Sequence, residues 1–295
     1  MVKLATARES RMYGPGRLSR NRWEYINAGL HVFAAVLLCG GFAAQLSYRG
    51  DAKSGLVVLL VSLAILAAVN AHDLVAHMAG IDFRVYLLGL DAQMALVELA
   101  VPLVQALGAA LEFAGVLLLF IQAERGYGYR LEKHAVNTLI AGPAMWVLGS
   151  IHNLCQVYER ADGHIQVLQK CVQIPFLMGS LLFLVGGVFN RQEVFGRVRH
   201  HGLETAGRSW AWLSLSGSLI LLVGSLLNVV KVFKMQQMDG IRLEKLRGGA
   251  QERLAREREG RVPLILEENR RRPGGEARAA APASTPYKDV LVGRS

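Results

Sequence analysis

Six apolar segments dominate the chain, at residues 26–47, 55–77, 94–121, 136–158, 173–190 and 210–233. A helix crosses a hydrocarbon core of about 30 Å with roughly 20 residues, and each segment is close to that length or beyond it. Lipid offers no partner to a bare N–H or C=O, so a chain entering it must satisfy its own backbone. The expected fold is therefore all-α, a polytopic transmembrane helix bundle of about six spans. The third segment is the least regular. The run from Val85 to Ile121 would divide at Pro102–Gly108 into two pieces of about 16 residues, too short to cross. One long helix, kinked at Pro102, is the better expectation.

Composition agrees, with 52% of the 295 residues hydrophobic. Charge sits at the ends: residues 1–22 carry +5 and residues 235–295 carry +4, leaving +1 for everything between. The sequence thus reads as a basic flank (1–25), a helix bundle (26–234) and a charged, partly disordered tail (235–295). Basic tails beside apolar spans point to anionic lipid headgroups as partners. No aromatic-interleaved or recognition-helix pattern accompanies them, so nucleic acid is not expected. The first apolar segment is too long for a secretory signal. Six spans put both termini on one side, expected to be the cytosol. The basic loops around Arg125–Lys133 and Arg191–Arg208 then lie opposite, so the positive-inside rule does not decide the orientation cleanly. Cys39, Cys155 and Cys171 form no disulfide framework or zinc spacing.

A repeat marks the second half. GPAMWVLGSIHN (142–153), GSLLFLVGGVFN (179–190) and GSLILLVGSLLN (217–228) align without gaps. Each has glycine, glycine seven residues later and asparagine four beyond that: Gly142, Gly149, Asn153; Gly179, Gly186, Asn190; Gly217, Gly224, Asn228. At 100° per residue the three positions of each set share one narrow stripe. Small residues let helix backbones approach in lipid, and asparagine can bond across the contact. The expectation is a three-helix core whose small faces meet, with Asn190 at the opposite membrane face from Asn153 and Asn228. The GSLLFLVGGVFN-type repeat resembles the small two-helix YrhK-like membrane module. The run LIAGPAMWVLGSIHNLCQVYERADGHIQVLQK resembles multi-pass plant membrane proteins, over about residues 70–260. Neither resemblance implies a reaction, a ligand or a site residue.

Polar residues inside the apolar segments are patterned too. Asp91, Glu98, Gln105 and Glu112 recur every seventh position, a nearly straight stripe about 31 Å long on a helix. Alternating helix direction gathers a second set at one membrane face: Asn27 and His31, then His72, Asp73 and His77, then His152 and Asn153. Ionisable groups at membrane depth are costly and carry a functional hypothesis by default. A metal site would use Asp73 and His77 with Glu98 or His152. Haem would need His31 or His72 facing His152. A proton or cation pathway would use the carboxylates as relays. The plainest account is a polar cluster whose members hydrogen-bond one another.

The chain has no phosphate loop, dinucleotide fingerprint or nucleophile elbow. The expectation is accordingly a non-enzymatic membrane protein without cofactor or metal, structural, scaffolding or regulatory, with a homo-oligomer or a membrane-protein partner. The competing reading is a proton- or cation-coupled small-solute transporter using the carboxylate stripe.

Overall fold

The computed structural model describes residues 17–47, 52–81, 83–89, 92–155, 163–196 and 207–237. All of these fall in one compact unit, Met1–Gln251; Asp91 and most of both tails lie outside the described residues. Six long helices are present: α1 (Arg17–Leu46), α2 (Ala52–Gly80), α3 (Val101–Arg125), α4 (Tyr129–Cys155), α5 (Gly163–Gly196) and α6 (Arg208–Gln237). No strand occurs among the described residues. The protein is an all-α membrane helix bundle.

Each helix packs on its neighbours in sequence, and α6 returns to pack on α1. The result is a closed ring of six. Cross-helix contacts fix the directions. Asn27 meets Asp73 and Ser62 meets Ala34 between α1 and α2. Lys53 meets Glu124 between α2 and α3. His31 meets Ser225, and Phe42 meets Trp210, between α1 and α6. Every adjacent pair is therefore antiparallel. With an even number of helices, the start of α1 and the end of α6 share one face of the bundle with the α2–α3 and α4–α5 connections.

Among the described residues five helices are long and apolar enough to cross a membrane: Trp23–Leu46, Lys53–Ala79, Leu96–Arg125, Val167–Phe195 and Arg208–Lys234. The sixth expected span, at 136–158, coincides with α4 over residues 136–155, its last three residues lying outside the described ones, and α4 does not meet that standard. Asn137, Thr138, His152 and Asn153 dilute its apolar run. It is still held along α3 and α5 and still turns Leu148 and Ile151 outward. The outer surface of the ring is apolar all round, for example Phe33, Val61, Leu107, Leu148, Ile174 and Val223, one from each helix in turn.

Helicity continues upstream of α3 through one α-helical turn (Ala92–Ala95) and one π-helical turn (Leu96–Ala100). The Val101 N–H bonds Leu96 O, five residues back, immediately before Pro102. Proline cannot donate to the carbonyl four residues earlier. The wider π turn accommodates this position, so the single long helix is interrupted by a π turn placed just ahead of the proline.

The seams between helices explain the glycines, and they correct the expected three-helix core. In α3 and α4, a Cβ on Gly108 would stand 2.9 Å from Gly142 O, and one on Gly142 would stand 2.9 Å from Gly108 O. In α5 and α6, Gly179 and Gly217 oppose each other in the same reciprocal way at 3.1 Å. The small face of α4 thus meets α3, while those of α5 and α6 meet each other. Gly149 takes the Gln105 side chain of α3, Gly186 lies over Trp210 O and Leu213, and Gly224 takes Pro175.

These seams make a prediction. Gly142→Ala places a methyl group against backbone and should lower the unfolding free energy by about 1–3 kcal/mol. Gly29→Ala and Gly40→Ala, where a Cβ meets nothing within 4 Å, should stay within about 0.5 kcal/mol of the parent. Denaturation in SDS–detergent mixtures measures all three. Equal effects at the three positions would contradict the seam.

Candidate functional site

The ring encloses a cavity lined by residues from all six helices. Its deep end is at Leu66, Ser180 and Leu221, near the midpoints of α2, α5 and α6. Its shallow end is at Asp73 and Asn153, near the ends of α2 and α4. The cavity therefore runs from the membrane centre toward the face that carries the start of α1. Its volume is about 70 Å³ counted by positions a water centre can occupy. At the ~10–15 Å³ each water needs, that is room for on the order of five.

The walls are polar, and some of their polar hydrogens are already committed. Ser225 Oγ donates to Leu221 O at 2.7 Å, which uses its single proton. It must then accept from His31 Nδ1, also at 2.7 Å. This fixes the tautomer of a neutral His31 and leaves Nε2 as an acceptor on a ring that lines the cavity. Asn70 Nδ2 donates to Leu66 O at 2.9 Å, and Ser180 Oγ donates to Phe176 O at 2.7 Å. Between α3 and α4 the bonds are reciprocal. Gln105 Nε2 donates to Trp146 O at 3.3 Å, and Trp146 Nε1 donates to Gln105 O at 3.2 Å. Asn27 Nδ2 approaches Asp73 Oδ1 at 3.4 Å. Ser150, Asn153 and Gln173 line the cavity with no hydrogen bond among the described residues, although each is at most 9% exposed.

Below the cavity the ring is closed by aromatics. Trp146 stands edge-on to Phe183 at 5.9 Å, Phe183 to Phe42 at 5.6 Å and Phe42 to Trp210 at 5.1 Å. These four residues bridge α4, α5, α1 and α6. Leu59 and Leu63 of α2 and Ala109, Val116 and Leu119 of α3 complete the same buried cluster. The polar lining thus lies toward one face of the bundle and gives way to an apolar floor.

Only some residues singled out by sequence reach this cavity. Of the stripe, Gln105 does; Glu98 and Glu112 do not, and both are only 2% exposed. Glu98 Oε2 pairs with His77 Nδ1 at 3.0 Å, joining the π turn to α2. Glu112 lies in the α3–α4 seam with its Cγ against Gly142, and no hydrogen bond among the described residues reaches its carboxyl group. Of the cluster, His31, Asp73 and Asn153 line the cavity. His72 instead stacks on Trp23 at 6.0 Å, and His152 is partly buried near the end of α4. Among the described residues no three His, Cys, Asp or Glu are grouped to hold a metal ion. Asn190 accepts from the Gly207 N–H at 2.7 Å at the far face, while Asn228 is buried on α6. Sequence reasoning missed Asn70, Ser150, Gln173 and Ser180. The spacing of Asn70 and Asp73, three apart on one helix face, was the available signal.

Breaking the His77–Glu98 pair should be felt in stability. Glu98→Ala and His77→Ala should each cost about 1–3 kcal/mol, because the other group is left buried. A double-mutant cycle should give a coupling well above that of the exposed Lys53–Glu124 pair, for which about 0–1 kcal/mol is expected. Equal couplings would mean that the buried pair carries no special weight.

No family model matches the chain, and no solved structure matches it.

Proposed function

We propose that this membrane protein binds a small polar solute in the central cavity and carries it across the bilayer. The observation that supports this reading is the one-sided cavity itself. It offers polar atoms as deep as the middle of the bundle and ends on an apolar aromatic floor. Ser150, Asn153 and Gln173 form no hydrogen bond among the described residues and line space large enough for water, so a purely structural bundle would carry the cost of a polar pocket at its centre to no purpose. That cost favours a solute-binding bundle over the scaffold that the sequence alone favoured. The carboxylate stripe is not needed for this reading, since its two buried glutamates stand outside the cavity. The likeness to YrhK-like modules and plant membrane proteins names no ligand, so the proposal rests on the cavity. We further propose that the basic tails contact anionic lipid and lie on the cytosolic side, which would make the cavity open to the cytosol.

Accessibility tests the proposal. In a background with Cys39, Cys155 and Cys171 replaced by serine, Asn153→Cys and Gln173→Cys should react with a membrane-impermeant thiol reagent applied from the side of the termini. Applied from the other side, the reagent should leave both unmodified. Phe183→Ala should thin the floor and admit reagent from both sides. Cavity cysteines that stay unreactive from either side would sink the reading.

A further inference from the structure

On the outside of the ring, at the face opposite the start of α1, a groove runs between the start of α4 and the end of α5. It is separate from the central cavity and independent of the solute-binding reading. Its volume is about 750 Å³ counted by positions a water centre can occupy. The groove faces lipid. Eleven residues make three helical turns to within about 20°, so Asn137 and Ile140 share the stripe of the outward Leu148 and Ile151.

The lining is layered by depth. At the outermost level Tyr129 and Phe195 meet edge-on, their ring centroids 6.4 Å apart. One turn inward on each antiparallel helix, about 6 Å deeper, stand Lys133 and Arg191 at a common level. Asn137 and Gln192 lie within a turn of that pair, and Ile140 and Val188 form the deep end. There the groove closes, where Gly187 comes against Leu139 O.

Lys133 and Arg191 are both exposed, and neither makes an ion pair or hydrogen bond among the described residues. Asn137 and Gln192 are likewise unbonded among them. No acid lines the groove. The acids nearest in sequence are engaged elsewhere: buried Glu132 accepts from Tyr127 OH at 2.9 Å, and Glu193 lies against Gly207. Two unpaired cations over an apolar floor, at the edge of the hydrocarbon, match a phosphate carried on an acyl chain. A free anion would use the cations and leave Ile140 and Val188 without a partner. A zwitterionic lipid would bring a second, positive group into a site that already holds two cations.

We propose that this groove binds one anionic phospholipid, its phosphate between Lys133 and Arg191, with Asn137 and Gln192 donating to headgroup oxygens and an acyl chain along Ile140 and Val188. Occupancy also explains how α4 keeps polar residues on its outward stripe, since Lys133 and Asn137 then meet a headgroup instead of hydrocarbon.

Full-length protein in detergent is titrated with phosphatidylglycerol or phosphatidylcholine, and bound lipid is read by native mass spectrometry and by the shift in Tm. Phosphatidylglycerol should be retained in preference and should raise Tm further. Lys133→Gln and Arg191→Gln should each weaken its binding about fivefold, the contribution of one basic residue at an anionic surface. Together they should abolish the preference, whereas Lys133→Arg should keep it. Arg208→Gln removes an exposed cation on the same face of α6, outside the groove, and should leave retention unchanged. Inorganic phosphate and glycerophosphoglycerol carry the anion without acyl chains, and neither should displace the lipid. Equal retention of the two lipids would overturn the proposal, as would an equal loss in Arg208→Gln. Displacement by inorganic phosphate would make the groove a site for free anions and refute the lipid.

Discussion

In hydrocarbon, an apolar side chain gains little by leaving lipid for protein, so helices adhere through close packing and a few polar contacts. This constraint governs the whole bundle. Two reciprocal glycine contacts, Gly108 with Gly142 and Gly179 with Gly217, bring backbones together where a single methyl would meet a carbonyl oxygen. Both lie within sequence-adjacent antiparallel pairs, α3–α4 and α5–α6. Gly41 and Gly55 serve α1–α2 similarly, with Gly41 against Leu59 and Gly55 against Gly41 O. Gly187 adds a fourth such approach, against Leu139 O across α4–α5, so four of the six seams are glycine-tight. The closing contact between α6 and α1 uses side chains instead, through His31–Ser225 and Phe42–Trp210.

That division has a consequence for the interior. Six helices closed in a ring leave volume at the centre, and what fills it differs along the axis. On the side away from the start of α1 the filling is Phe42, Phe183, Trp210 and leucines. On the other side the same ring is lined by amides, hydroxyls, one imidazole and one carboxylate. The outside is uniformly apolar, so the polar side chains have been turned away from lipid. A buried cation follows the same rule: Lys231 on α6 is fully enclosed and donates to Gln169 Oε1 of α5 at 2.9 Å. It is held where a charge on the lipid face would be expensive.

Much of the helix inventory was legible in the sequence, because a run of apolar residues of membrane length admits few other structures. The gathering of His31, Asp73 and Asn153 at one end was legible too, since it needs only alternating direction. The ring was not. Three copies of one Gly–Gly–Asn pattern suggest three helices meeting each other, but a stripe of small residues states that a neighbour comes close without saying which. Gly142 and Gly149 face α3, which lacks the pattern and answers with Gly108 and Gln105 instead. Nor could spacing reveal which polar groups of the wall are already bonded. That depends on rotamers that commit Asn70, Ser180 and Ser225 to their own helix carbonyls. The heptad of polar residues turned out to hold three different environments: a paired glutamate, a cavity glutamine and a glutamate sealed in a seam.

Prolines occur in the three helices α3, α4 and α5, at Pro102, Pro143 and Pro175. Each removes one N–H from its helix and leaves the carbonyl four residues earlier without that donor. For Pro143 this carbonyl is Leu139 O, which is the atom that Gly187 of α5 approaches most closely. The gap in the α4 ladder is therefore where a neighbouring backbone comes nearest. Pro102 itself lines the cavity, directly after the π turn. Pro175 lies against Gly224 of α6, one residue before Phe176 in the cavity wall. Interruptions of the helical ladder thus occur at more than one depth, that before Pro102 level with the His77–Glu98 pair and that at Pro143 in the Leu139 seam. Helices bend most readily where a ladder bond is already missing. A bundle built this way keeps its seams continuous and places its capacity to bend at the levels of the three prolines, all of them in consecutive helices.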